Sequence, residues 1–187
     1  MRPLRFVSAM MGLILLATAT GPAFAEESVA NEYAVKAALV YNFMRFTSWP
    51  TTPDTTATPT FTIVVFGDES LVRAFDKLQG VTFAERTILV QRAEEADEAA
   101  GSQVVFLAGD QRKIWPHVQA ALAGAPVLTI GETTDFLDSG GVVSLRLARG
   151  RIIFDINQDK AEAVGLRISS RLLRLAATVV SGGREIE

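Results

Sequence analysis

Three short apolar runs in this chain end alike. Phe66-Gly67-Asp68, Ala108-Gly109-Asp110 and Ile130-Gly131-Glu132 each place a glycine and then a carboxylate after the run. If the runs are parallel strands, Gly67, Asp68, Gly109, Asp110, Gly131 and Glu132 gather along the carboxyl edge of one sheet. Open α/β folds bind their ligands at that edge. Carboxylates there would suit a cation, an amine or a polar metabolite. The competing role is local: Asp68 and Asp110 cap helix N-termini, and the glycines permit tight strand-to-helix turns. The local role is the plainer one and is preferred. No G-x-G-x-x-G or Walker pattern is present, so a nucleotide lacks its backbone cradle.

Other chemistry is sparse. His117 is the one histidine, and any Ser-His-Asp site would have to use it. No G-x-S-x-G elbow accompanies it, so a solvent-facing helix residue is expected instead. With one histidine and no cysteine, a His/Cys zinc site is excluded by count. A carboxylate-only site would favour Ca²⁺ or Mg²⁺, but no recognisable loop supplies one. Glu94 and Glu95 lie in an acidic, solvated run, whereas general acid chemistry needs a buried carboxyl. The residues therefore predict no catalytic constellation, no cofactor and no metal.

Near the C-terminus the pattern changes. Arg167, Arg171 and Arg174 recur at helical spacing, and Leu166, Leu172, Leu173, Leu175, Ala176 and Val179 can form a broad apolar face. One reading is a basic stripe that meets an acidic partner or anionic lipid heads. The other is the solvated face of an ordinary amphipathic helix.

The elements that would position these residues can be read in order. Val35, Leu39, Phe43 and Phe46 predict a helix over 31–47 with Asn31 as N-cap, ended by Trp49-Pro50. The Thr/Pro-rich stretch 51–60 reads as a loop. Strands are expected at 61–66, 87–90, 103–108 and 127–130. Helices are expected at 68–78 and 116–122, with weak helix at 94–101 and a short turn of helix near 135–137. Continuously apolar strands alternating with helices predict a mostly parallel sheet covered on both faces. Two extended runs, 142–147 and 151–156, joined by Ala148-Arg149-Gly150, predict an antiparallel hairpin. A helical region over 159–180, interruptible at Gly165, closes the chain. The expected fold is a single three-layer α/β domain with a C-terminal antiparallel hairpin.

Residues 1–25 read as a secretory signal peptide. Arg2 and Arg5 precede an apolar stretch, and Ala23-Phe24-Ala25 offers the small residues a signal peptidase reads. The stretch is about a dozen residues, short of the ~20 needed to span a bilayer. Cleavage is expected between Ala25 and Glu26, leaving 26–187 as an exported domain, with the bacterial periplasm as its compartment. The chain has 18 Lys+Arg, 21 Asp+Glu and a formal net charge of -3, and cleavage removes two more positive charges. Nucleic acid is excluded as a partner, since no basic footprint exists. Without cysteine there is no thiol chemistry.

Both ends of the expected domain carry a resemblance. The run 32–43, Glu-Tyr-Ala-Val-Lys-Ala-Ala-Leu-Val-Tyr-Asn-Phe, with Phe46, Thr47, Trp49 and Pro50, resembles the opening of the YfiR family. Phe61-Thr62-Ile63, Gly67-Asp68, Val127-Leu128-Thr129-Ile130-Gly131 and Gly140-Gly141-Val142-Val143 are similar to its middle. Residues 151–157 and 165–176 resemble its closing signature. The resemblance implies a small periplasmic α/β regulator rather than an enzyme. Its expected partner is the periplasmic portion of an inner-membrane diguanylate cyclase, which it restrains. An OmpA-like outer-membrane lipoprotein would sequester the restrainer. The expected output is cyclic di-GMP control of biofilm and motility. Self-association as a homodimer is compatible with this, although no symmetric patch is legible in one chain. A cysteine-based redox response, as in some members, is excluded here. Asn42, Phe43, Phe46 and Trp49 match the family opening, but helix packing on the sheet is their preferred role. The contact candidates are Arg167, Arg171 and Arg174.

Overall fold

The computed structural model describes residues 23–50 and 60–186. Of the signal peptide expected over 1–25 and the loop expected over 51–60, residues 1–22 and 51–59 lie outside the described ones, and Thr60 already belongs to a strand. The first helix, α1, runs Ala23–Arg45 and so passes through Asn31, which is not its N-cap. The preceding Ala-Phe-Ala-Glu-Glu-Ser-Val-Ala contains no helix breaker, and the helix simply extends back through it. At the other end the Thr47 hydroxyl donates to the Phe43 carbonyl at 2.8 Å, and the chain turns into a short strand, β1 (Thr47–Ser48).

The core of the sheet follows. β2 (Thr60–Phe66), β4 (Arg86–Arg92), β5 (Val104–Leu107), β6 (Leu128–Gly131) and β7 (Val143–Ala148) are mutually parallel in the spatial order β4-β2-β5-β6-β7. Renumbered by order of appearance, this is the 2-1-3-4-5 arrangement of doubly wound folds, whose switch point lies between β2 and β5. A two-residue strand, β3 (Thr82–Phe83), closes one edge antiparallel to β4. At the other edge β8 (Arg151–Asn157) returns antiparallel to β7. Their turn is the two residues Arg149-Gly150, both at positive φ, rather than the three-residue connection expected. That geometry matches the right-handed twist of the flanking strands.

The apolar runs are continuous because both faces are covered. Phe61, Ile63 and Val65 of β2 and Val104 and Phe106 of β5 point towards α1 and α2 (Glu69–Phe75). Val64, Phe66, Val105 and Leu107 point the other way, towards α3 (Trp115–Leu122). Each fully buried large side chain contributes about 1.5–3 kcal/mol. Phe43, Met44, Phe75, Phe106 and Phe136 anchor these two layers. The Asp135–Leu137 segment forms turns, not helix, and it packs the Phe136 ring, tilted by 47°, against Trp115 at 4.6 Å between centroids. The segment 94–101 holds one 3₁₀ turn, 96–99.

The C-terminal helix expected over 159–180 is not there. The chain instead forms α4 (Gln158–Ala163), β9 (Arg167–Ile168), the single turn α5 (Ser170–Leu173), β10 (Thr178–Ser181) and β11 (Arg184–Ile186). Gly165, at φ +81°, follows the end of α4. The Ser169 hydroxyl accepts from the Arg171 N–H and starts a new turn. The β-branched run Thr178-Val179-Val180 then pairs parallel with β8. An open strand edge satisfied these backbone groups better than a helix of poor formers. β11 folds back on β10 to complete a nine-stranded sheet, and β9 pairs with β1 in a separate ribbon.

Candidate functional site

Because β2, β5 and β6 are parallel, their following turns do share the carboxyl edge of the sheet. What assembles there is more specific than a cluster of carboxylates. Asp68 caps α2: one carboxylate oxygen accepts the Leu71 N–H at 2.8 Å, and the other accepts the Tyr33 hydroxyl at 2.9 Å. The Leu71 N–H bond above all holds this carboxyl below its usual range; burial opposes it, and the Tyr33 bond adds a smaller lowering. Burial, and then the same carboxylate, push the Tyr33 phenol up.

Glu132 reaches the neighbouring turn. Its Oε2 accepts the Gly109 N–H at 3.2 Å, and its Oε1 lies 2.5 Å from Lys36 Nζ. Lys36 also pairs with Glu32, four residues earlier on α1, at 2.7 Å, and its ammonium stands 5.2 Å from the Tyr33 ring centroid. The Lys36 side chain is only 9% exposed. Burial opposes its charge, but the bonds to Glu132 and Glu32 outweigh that and lift its pKa above the ordinary lysine value.

These contacts have a chemical consequence. In doubly wound folds an anionic ligand group takes the backbone N–H groups beyond the switch-point strands. Here the chain's own carboxylates hold those positions, Asp68 at the turn after β2 and Glu132, reaching across from the end of β6, at the Gly109 N–H after β5, and Tyr33 and Lys36 of α1 bind both from outside. A cleft of about 370 Å³ remains beside them, lined by Glu32, Lys36, Glu132, Thr134, Leu147 and Ile152 among others.

The remaining sequence candidates separate. Asp110 does not cap a helix; it accepts from Gln111 on the surface, while Ala108 precedes the 3₁₀ turn 109–114. Gly67 and Gly131 do serve close packing, since an added Cβ would strike Leu71 and Phe136 respectively. His117 is exposed on α3 with no serine or carboxylate bonded to it among the described residues, as expected of a solvent-facing helix residue. Glu94 pairs with Arg92 at 2.9 Å in an exposed run. Among the described residues no group of three or more His, Asp or Glu could hold a metal ion. Phe43 stacks edge-on with Phe154 at 4.9 Å, and Trp49 with Phe61 at 5.0 Å; Asn42 faces solvent.

The three arginines are exposed but do not lie on one helix. Arg167 is in β9, opposite Ser48; Arg171 is in α5; Arg174 follows it as C-cap. Sequence reasoning from chemistry missed Glu32, Tyr33 and Lys36. The i,i+4 spacing of Glu32 and Lys36 was the available signal, but their second partner is 96 positions away from Lys36 in Glu132.

The architecture and contacts define a doubly wound α/β domain whose polar sheet edge is engaged in internal contacts. The chain belongs to the YfiR/HmsC-like family, whose model matches residues 33–177. No curated protein matches it. Among solved structures, it is similar to a conserved domain protein from Vibrio cholerae at 14% identity and TM-score 0.49, covering 79% of this chain and 60% of that one. It is also similar to an ABC domain in complex with L-Trp from Streptococcus pneumonia at 14% identity and TM-score 0.46, covering 64% and 55%. The chain thus spans little more than half the length of either structure, and neither likeness is close enough to carry a functional argument.

Proposed function

We propose that this chain restrains an inner-membrane diguanylate cyclase by binding its periplasmic sensor portion, lowering cyclic di-GMP output. The observation that carries the reading is family membership over residues 33–177, a family of periplasmic regulators rather than catalysts. Among the described residues no helix is long and apolar enough to cross a membrane. Export would follow from cleavage between Ala25 and Glu26, which releases 26–187 as the working domain.

Restraint requires differential affinity. The protein must bind the inactive conformation of the cyclase more tightly than the active one, and nothing else shifts that equilibrium. A shift from 99:1 to 1:99 needs about 5.5 kcal/mol of preference. A contact of roughly 800 Å² per partner with a few arginine or aromatic anchors supplies it. Arg167, Arg171 and Arg174 are the contact residues in this reading, and an OmpA-like lipoprotein would compete for the protein. Small-ligand binding at the carboxyl edge is the weaker reading, because Asp68 and Glu132 already occupy the turn N–H groups there.

The test is genetic and biochemical together. Deleting the gene should raise cyclic di-GMP, and the purified chain should capture the periplasmic portion of the cyclase from envelope extracts. Unchanged second-messenger levels with no captured cyclase would refute the proposal.

A further inference from the structure

Away from the C-terminal segment the arginines divide: Arg73, Arg92, Arg112 and Arg146 each hold a carboxylate at 2.5–2.9 Å, whereas Arg45, Arg149 and Arg151 are exposed with no ion pair among the described residues. Arg167, Arg171 and Arg174 belong to the second group. All three are exposed, and none has a carboxylate within ion-pair reach among the described residues. Arg171 and Arg174 are three apart on one helical turn and so are neighbours. Directly after them Leu175 is 66% exposed, the most exposed large apolar side chain described. Beside Arg167 lies a cleft of about 560 Å³ lined by Glu162, Gly165, Leu166, Arg167 and Ile168. Its one carboxylate, Glu162, accepts from Gln158 at 2.8 Å. An unmatched cationic patch on a chain of net charge -3 is a local feature, not a reflection of overall charge.

We propose that the segment 165–175 docks an acidic polypeptide segment bearing an apolar side chain. Arg167, Arg171 and Arg174 take its carboxylates, and Leu175 packs on its apolar group. This deepens the reading above by naming the chemistry of the partner. A lipid surface is the poorer occupant on structural grounds. Membrane-surface binding of this type uses a long amphipathic helix lying in the interface plane, and the helices here span only Gln158–Ala163 and Ser170–Leu173. The Arg167 guanidinium at the cleft, with those of Arg171 and Arg174 further along the segment, offers planar, multi-donor groups that match carboxylates on a protruding chain instead. Arginine beside an exposed apolar residue is also the composition of interface anchors.

The test follows amide shifts of the ¹⁵N-labelled exported chain during titration with a glutamate–leucine copolymer. Shifts should concentrate in 165–176 and in the paired residues of β1, and about 0.5 M salt should suppress them. The variant Arg167→Glu/Arg171→Glu/Arg174→Glu should bind about tenfold or more weakly. Leu175→Ser should weaken binding without changing its salt dependence. If the triple variant does not fold, Arg171→Gln and Arg174→Gln singly carry the same comparison. Shifts located elsewhere, or unchanged affinity in a folded variant, overturn the docking surface. So does binding to phosphatidylglycerol vesicles as tight as to the copolymer. Titration with the periplasmic portion of the cyclase separates the two proposals. Copolymer binding without cyclase binding fails the restraint reading alone, and cyclase binding unaffected by the charge reversals fails the docking surface alone.

Discussion

Replacing Lys36 by methionine should be among the most damaging single changes on α1, although it adds no polar group and keeps most of the volume. The ammonium is 9% exposed and neutralises Glu132, itself 15% exposed, at 2.5 Å, and Glu32, 39% exposed, at 2.7 Å. Removing one partner of a buried pair costs about 3–5 kcal/mol, because the other charge stays buried and uncompensated. Two features reduce this. Glu132 keeps its bond from the Gly109 N–H, and Glu32 turns to solvent. About 2–3 kcal/mol is then expected for Lys36→Met. The double variant Lys36→Met/Glu132→Gln should recover about half of that, since glutamine still accepts from Gly109 without carrying charge. The pH dependence has a definite sign. Lys36 has a raised folded pKa, so its contribution is fully present below the unfolded lysine pKa and is lost only as pH rises through the folded value. Between pH 5 and 8 wild-type stability should therefore not respond to Lys36. Urea unfolding of the four proteins of the cycle at pH 5 and pH 8 reads both effects. A loss below about 0.5 kcal/mol in Lys36→Met, or no recovery in the double variant, would refute the ionic account of this edge.

Two other perturbations follow from the packing. Gly141 and Gly131 both abut the Phe136 ring, which an added Cβ would strike; Gly141→Ala should cost about 1–3 kcal/mol in thermal unfolding, partly restored by Phe136→Leu, and an unchanged Tm would contradict the packing. The Asp159 carboxylate accepts the Gly182 and Gly183 N–H groups at 2.8 and 2.9 Å, and the Gly183 bond, then the Gly182 bond, lower its pKa. Its contribution is present above the unfolded aspartate pKa and is lost as pH falls through the depressed folded value, so amide protection in β10 and β11, taken relative to intrinsic exchange, should fall in acid. Asp159→Ala should show that lower protection already at neutral pH, and equal protection in the two proteins would sink the idea.

Much of the fold was legible because it follows from local pattern. The runs at β2, β5 and β6 place apolar side chains on both faces, which only a strand covered on both sides tolerates, and helical spacing separates them. The carboxyl-edge glycines were legible for the same reason. The C-terminal region misled because Leu166, Leu172 and Leu173 do sit at helical spacing, while the decisive fact was remote. Thr178–Ser181 had a free edge of β8 to join, and a pairing partner more than twenty residues away leaves no mark on local periodicity.

The sequence by itself determined a mostly parallel α/β sheet covered on both faces, the gathering of the Asp68, Asp110 and Glu132 turns along one sheet edge, and, through its two terminal signatures, the family. Only the tertiary structure decided that Lys36 and Tyr33 would meet those carboxylates, and that the arginines would stand on a strand and a single turn rather than one helix. Hydrophobic period is set by near neighbours, whereas ion pairs and strand edges are matched across the whole chain by whichever backbone and charged groups would otherwise be buried unpaired.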